Sequence, residues 1–270
     1  MTTQAKSEKP AKSKAVAKAS PSTAIAVIDE QQLANEAALL KQQINIGGGN
    51  KIKIEVTGEF KLPEGMSLGN EIRVAIVDFR SRNFFYGTKY NPNNLVPPDC
   101  YAIGQIKSQM APAEDSPVPQ SDNCAGCALN AFGSGDGNGK ACQNRYWVAV
   151  LLEDPENPDS LSDPDAPIYI LDLSPINNKS FEGALAKVTQ SMGHWVKALY
   201  TVAAENAGTY AKVSWGLPVP NPAVASCLAR RAEVTDQLER GPDFAAAAAK
   251  AAASAPKSRA PSRAAPARRR

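Results

Sequence analysis

Between Ile25 and Ile46 the apolar residues Leu33, Ala37, Leu40 and Ile44 recur at helical spacing. Asp29 and Glu30 suit a helix start, and Gly47, Gly48 and Gly49 end the pattern. From Lys51 the period changes to two. Ile52, Ile54 and Val56 alternate with Lys51, Lys53 and Glu55, and Phe60 and Leu62 follow Gly58, which predicts a half-buried strand pair. Further β patterns cover residues 71–90, 101–106, 145–152, 168–173 and 210–217, joined by irregular, Pro-rich links. Two long helical patterns, 181–206 and 222–240, come late. Strands first and helices late predict an α+β fold with a mainly antiparallel sheet or small barrel rather than repeated βαβ units.

Composition changes the picture at the two ends. Residues 1–24 consist mainly of Lys, Ala, Ser and Pro, and residues 244–270 of Ala, Pro, Ser and Arg, so both are expected to be disordered basic tails. The formal charge of +3 hides this arrangement. Residues 1–24 carry +4 and residues 241–270 carry +6, which leaves 18 basic and 25 acidic residues over 25–240, a net of −7. The body is acidic and the tails are basic. No run approaches the roughly 18 apolar residues of a membrane helix, and no apolar signal core follows the N-terminal lysines, so a cytoplasmic location is expected. Residues 153–167 hold six carboxylates and four prolines. They read as a solvated excursion whose spacing does not match an EF-hand loop.

Four of the five cysteines fall in the pattern Cys100-x23-Cys124-x2-Cys127-x14-Cys142. A C-x2-C pair sets two sulfurs at the tip of a tight turn where both can face one ion, and cysteines before and after can close a four-sulfur shell. Such a shell has no open position and is structural. Zn is the leading metal, an iron–sulfur cluster the alternative, and reduced cysteines with a redox-active Cys124/Cys127 pair the third reading. Gly133, Gly135, Gly137 and Gly139 before Lys140 do not make a phosphate loop. Ser134 stands where its first glycine would fall, and Ala141 replaces the metal-binding hydroxyl. The glycines instead let the loop take positive φ on its way back to Cys142.

Catalytic chemistry is sparse. His194 is the only histidine, which argues against a His-rich zinc site or a Ser-His triad. Asp78 and Asp99 could serve a two-metal nuclease, but their spacing singles out neither, so no enzyme activity is expected. Residues 73–107 do suit binding. Arg73, Arg80, Arg82, Lys89 and Lys107 against Asp78 and Asp99 give a local +3, interleaved with Phe79, Phe84, Phe85, Tyr86, Tyr90 and Tyr101. Unpaired bases need aromatic faces and their phosphates need cations. The same rings also suit an ordinary core.

The segments PPDCYAIGQ, SDNCAGC, NAFGSGDGNGKACQNRYWVAVLL and YAKVSWGL, in that order, resemble a group of bacteriophage single-stranded-DNA-binding proteins of replication and recombination modules. The resemblance spans roughly residues 50–240 and is most specific from Cys100 to Arg145. It implies an OB-like barrel, and Cys100, Cys124, Cys127 and Cys142 as ligands of a structural zinc. The terminal Arg268, Arg269 and Arg270 depart from the acidic, partner-recruiting tail usual in such proteins.

The expectation is therefore a single OB-like body over 25–243 with a metal loop at 100–145, flanked by the tails. It would bind single-stranded DNA by stacking bases on Phe84, Phe85, Tyr86 and Tyr90. Arg80, Arg82, Lys89, Lys107, Lys140 and Arg145 would neutralise phosphates. Replication or recombination proteins are candidate partners, and the chain could oligomerise. The alternatives are a virion or packaging protein whose tails bind duplex DNA, and a metal-dependent nuclease.

Overall fold

The computed structural model describes residues 50–88, 96–157 and 159–244. The helix expected over 25–46, the tails at 1–24 and beyond Phe244, and Lys89 and Tyr90 lie outside them. Within the described residues the chain runs β1 (Lys51–Ile54), β2 (Phe60–Lys61), β3 (Ser67–Gly69), β4 (Glu71–Phe85), β5 (Cys100–Gly104), β6 (Gln143–Leu152) and β7 (Ile168–Leu173). It continues with α1 (Asn178–Met192), β8 (Ala198–Asn206), β9 (Ala211–Trp215), β10 (Val219–Pro220), α2 (Val224–Ala229) and α3 (Arg231–Glu239). None of the described helices is long and apolar enough to cross a membrane.

The strands form one curled, open sheet in the order β10-β8-β4-β6-β7-β1-β2-β3, with β5 added to β4 and β9 to β8. The fold is thus mixed α+β and mainly antiparallel, with β1 and β7 as a parallel pair. β4 organises it. β6 runs along one side from Val74 to Phe84, while the other side is shared between β8, opposite Glu71–Ala75, and β5, opposite Ser81–Phe85. A bulge between Ile76 and Asp78 shifts the register against β6, the local distortion by which a long strand bends.

Both faces of the central strands are covered. On one, Val74, Ile76, Phe79, Val148 and Leu171 pack with Phe181, Ala184 and Val188 of α1. On the other, Ala75, Val77, Ala149, Leu151 and Ile170 pack with Cys227, Val234 and Leu238 of α2 and α3. Strands buried on two faces lose polar alternation and become continuous apolar runs, as VAIV and VAVLL do.

The helix expected over 181–206 is half strand. α1 stops at Met192, where Gly193 takes a left-handed φ of 80°, and residues 198–206 are β8. In β8 Ala198, Leu199, Tyr200, Val202 and Ala204 are all buried. Their spacing satisfies two packed faces, which a helical template matches equally well. His194 consequently lies outside the helix. The pattern over 222–240 is interrupted at Arg230, whose φ of −90° and ψ of 2° separate α2 from α3.

Candidate functional site

The cysteine loop leaves β5 and returns to β6. Cys100 opens β5 opposite Phe85 of β4. Cys124 is pinned by its amide, which donates to the Met110 carbonyl at 2.8 Å. The turn carrying Cys124 and Cys127 is built from side-chain substitutes for backbone bonds. The Asn123 side-chain oxygen accepts from Gly126 N at 2.7 Å, and the Asn130 amide donates to the Cys124 carbonyl at 2.7 Å. Cys142 N donates to the Leu129 carbonyl at 2.8 Å, which closes the loop.

Cys100, Cys124, Cys127 and Cys142 line one cavity of about 20 Å³, together with Asn83 and Phe85. That volume admits little more than one water-sized sphere. Burial, together with the three neighbouring thiols, pushes the Cys142 thiol up to about 12, and burial likewise raises Cys124. Among the described residues no group of three or more His, Cys, Asp and Glu is arranged to hold a metal ion as it stands. The loop brings four cysteines to one cavity. Cys227 lies apart, buried in α2.

Beyond the cysteine pair the glycine-rich segment folds on itself. Gly133 N and Gly135 N both donate to the Gly139 carbonyl, at 2.9 and 3.1 Å. Gly133 and Gly137 have φ of +83° and +64°, and a Cβ on Gly135 would lie 2.8 Å from Ala141 N and from the Lys140 carbonyl carbon. Lys140 donates to Asn130 and Asn144, both at 3.2 Å, and its ammonium lies 4.9 Å from the centre of the Phe132 ring. Phe132 is 77% exposed. The sequence did not single it out, although it immediately precedes the glycine run, a context in which an aromatic ring has no regular element to bury it.

The cations chosen from the sequence are engaged within the protein. Arg80 bonds Asp78 at 2.8 Å and Glu239 at 2.8 Å. Arg82 is 1% exposed, so it is a structural residue and cannot neutralise a phosphate in this conformation. Lys107 pairs with Glu182 and lies 4.6 Å from the Tyr146 ring centre. Arg145 Nε donates to Asp172 at 2.8 Å. The rings divide as well. Phe79 packs edge-on against Phe181 and Trp195, and Tyr101 is buried, donates its hydroxyl to Asp115 and meets Phe244. Phe85 faces the cysteine cavity, Phe84 is half-buried near the Arg82 guanidinium, and Tyr86 is 37% exposed. Asp78 is tied to Phe79 N and Gln105 as well as Arg80, and Asp99 accepts from Gly87 N.

Lys51 and Trp147, neither of which the sequence singled out, occupy the same sheet face as Arg145. Lys51 Nζ lies 3.8 Å from the centre of the Trp147 ring and 3.9 Å from Asp172. Burial, reinforced by the charges of Arg82 and Arg145, outweighs Asp172 and lowers the Lys51 pKa. Compared with known protein families, curated proteins and solved structures, the chain matches none.

Proposed function

We propose that this protein binds single-stranded DNA in replication or recombination, with the cysteine loop as part of its binding surface. The observation that carries the proposal is the Phe132–Lys140 pair, a ring exposed to solvent with a cation against it, on the loop that begins and ends at the four-cysteine cavity. Tyr86, immediately after β4 and 37% exposed, offers a second ring. Unpaired bases stack on such rings with little regard to sequence, and the adjoining cations accept the phosphates. The basic tails add sequence-independent attraction that salt weakens.

Zn fits the cysteine site. Four cysteines line one cavity, and a closed four-sulfur shell suits a structural zinc, with an iron–sulfur cluster as the alternative. Cys100, Cys124, Cys127 and Cys142 would hold the ion, and it would supply a cross-link between β5, the turn and β6 that the loop's polar sequence cannot provide by packing.

Fluorescence anisotropy of the full chain with equal-length single-stranded and duplex DNA, across a salt series, tests the function. The single strand is expected to bind more tightly at moderate salt, and Phe132→Ala is expected to weaken it by one stacked base, about 1–3 kcal/mol. Equal binding of both forms, or a single-strand affinity indifferent to Phe132→Ala and Tyr86→Ala together, overturns the proposal and favours duplex neutralisation by the tails.

A further inference from the structure

A groove of about 420 Å³ opens where β1 and β7 meet the β8–β9 turn, and Lys51, Lys53, Arg145, Ser174, Thr209 and Tyr210 are among the residues that line it. Its size falls within the range of small-ligand clefts, roughly 300–1,000 Å³. The charges in it do not balance. Lys51 and Arg145 both lean on Asp172, at 3.9 and 2.8 Å. Two cations in the groove thus share one carboxylate. Lys53 lies on the rim, paired with Glu55 at 2.9 Å.

Half-buried cations without equivalent counter-charge are costly to hold together, and an anion entering the groove relieves that repulsion. Trp147 holds Lys51 in place, because its ring centre lies 3.8 Å from Lys51 Nζ. The groove also offers hydroxyls, from Ser174 and Thr209, and the ring of Tyr210, which is 37% exposed. Asn177 fixes the floor, accepting from Val213 N at 3.0 Å and donating to the Ala211 carbonyl at 3.2 Å. α1 begins beside the groove with no acidic residue in its first turn, so the positive end of the helix adds to the potential.

We propose that this groove is a phosphate site for one nucleotide, with the phosphate between Lys51 and Arg145 and the sugar or base against Tyr210, a proposal that rests on the single-strand reading only where the phosphate belongs to a DNA strand. The same chemistry recognises a free nucleoside monophosphate. Hydroxyls and guanidinium donors suit phosphate oxygens, and the uncompensated charge suits their negative charge.

Calorimetry on the full chain separates the possibilities, using thymidine 5′-phosphate, thymidine and a thymidine oligonucleotide. The monophosphate is expected to bind and thymidine not. Lys51→Met, which keeps the alkyl stem over Trp147, is expected to weaken the monophosphate at least about tenfold, as loss of a charged hydrogen bond does, and Lys51→Arg to retain it. If the oligonucleotide weakens in parallel, the groove takes a phosphate of the strand; if it does not, the groove takes a free nucleotide. Should Lys51→Met lower the melting temperature, Arg145→Gln, on the other side of the phosphate, supplies the same reading. No monophosphate binding at millimolar concentration, or binding unaffected by both substitutions, overturns the site, and single-strand binding that still depends on Phe132 then stands without it. Conversely, a Lys51-dependent monophosphate site in a chain that ignores single strands refutes the function and keeps the groove.

Discussion

The Arg82 guanidinium lies 3.6 Å from the centre of the Trp147 ring. Its terminal nitrogens donate to the Leu238 carbonyl at 3.0 Å and the Arg240 carbonyl at 2.6 Å. The Leu238 carbonyl is among those a helix leaves unsatisfied at its C-terminus, and Arg240 caps the same end, so one side chain joins the sheet to the end of α3. Burial outweighs the nearby negative charge and brings the Arg82 pKa down to about 10, which still leaves it charged at neutral pH.

Replacing Arg82 with Met should therefore act on stability. The substitution leaves two carbonyls without their donor and removes the cation from the ring, an expected loss of about 2–4 kcal/mol. Denaturant unfolding measures it. At a temperature where the variant remains folded, single-strand affinity should be unchanged; a fall in affinity without a fall in stability would return Arg82 to the phosphate contacts.

The strands were legible where one rule decided the pattern. β7 has the bounds expected from IYILDL, and β6 begins only two residues early, because apolar β-branched runs between polar links have few alternatives. β8 was not legible, since burial on both faces removes alternation, although Gly193 was a stop signal available in the sequence. Arg80 and Arg82 misled for a related reason. Their strand was identifiable, but its covering by α3, from a segment more than 150 residues away, is a tertiary fact. The cysteine spacing was read as a ligand set, and the four residues do line one cavity, because the C-x2-C turn is local while Cys100 in β5 and Cys142 just before β6 lie at the ends of two strands that both pair with β4.

Gly135 distinguishes space from backbone freedom within the loop. A Cβ there would meet the backbone of Lys140 and Ala141 at 2.8 Å, with no flexible side chain to yield. At Gly133 nothing lies within 4 Å, and only the φ of +83° opposes a side chain. Gly133→Ala should thus cost about 1 kcal/mol. Gly135→Ala should open the contact with Gly139, exposing residues 131–141 to limited proteolysis. Equal protease resistance of the two variants would show that the loop is not closed through Gly135.

His194 makes the folded state sensitive to mild acid. Its Nδ1 accepts from Val196 N at 3.2 Å, which requires the neutral ring at that nitrogen. Burial first, then Arg231 and Lys197, lower its pKa from 6.5. A depressed histidine pKa means that the unfolded chain binds the proton more readily. The stability this group contributes is present above pH 6.5 and declines as pH falls through 6.5 toward the lower folded value. His194→Asn, which keeps an acceptor and cannot titrate, should remove that part of the acid dependence. Melting curves between neutral pH and mild acid, compared for the two proteins, test this; identical slopes would refute it.

The proposed zinc predicts a linkage between metal content and folding that separates the four loop cysteines from the fifth. Cys124 and Cys127 sit in a turn whose other supports are hydrogen bonds of Asn123 and Asn130, and the adjoining apolar cluster contains only Ala102, Met110 and Cys124. So small a cluster cannot order a loop of this length, whereas an ion bound by the folded state and not the unfolded one stabilises in proportion to the logarithm of its concentration over its dissociation constant. Elemental analysis of the purified chain should give one zinc. Cys124→Ser with Cys127→Ser should remove it and lower the melting temperature by on the order of 10 °C. Chelation of the unsubstituted protein should reproduce the shift, and restored zinc should reverse it. Cys227→Ala should retain the metal, because Cys227 is buried against Asn221 on the α2 side of the sheet. A chain that purifies without metal, and melts identically with and without added zinc, would leave the four sulfurs as reduced thiols and remove the cross-link from the binding surface.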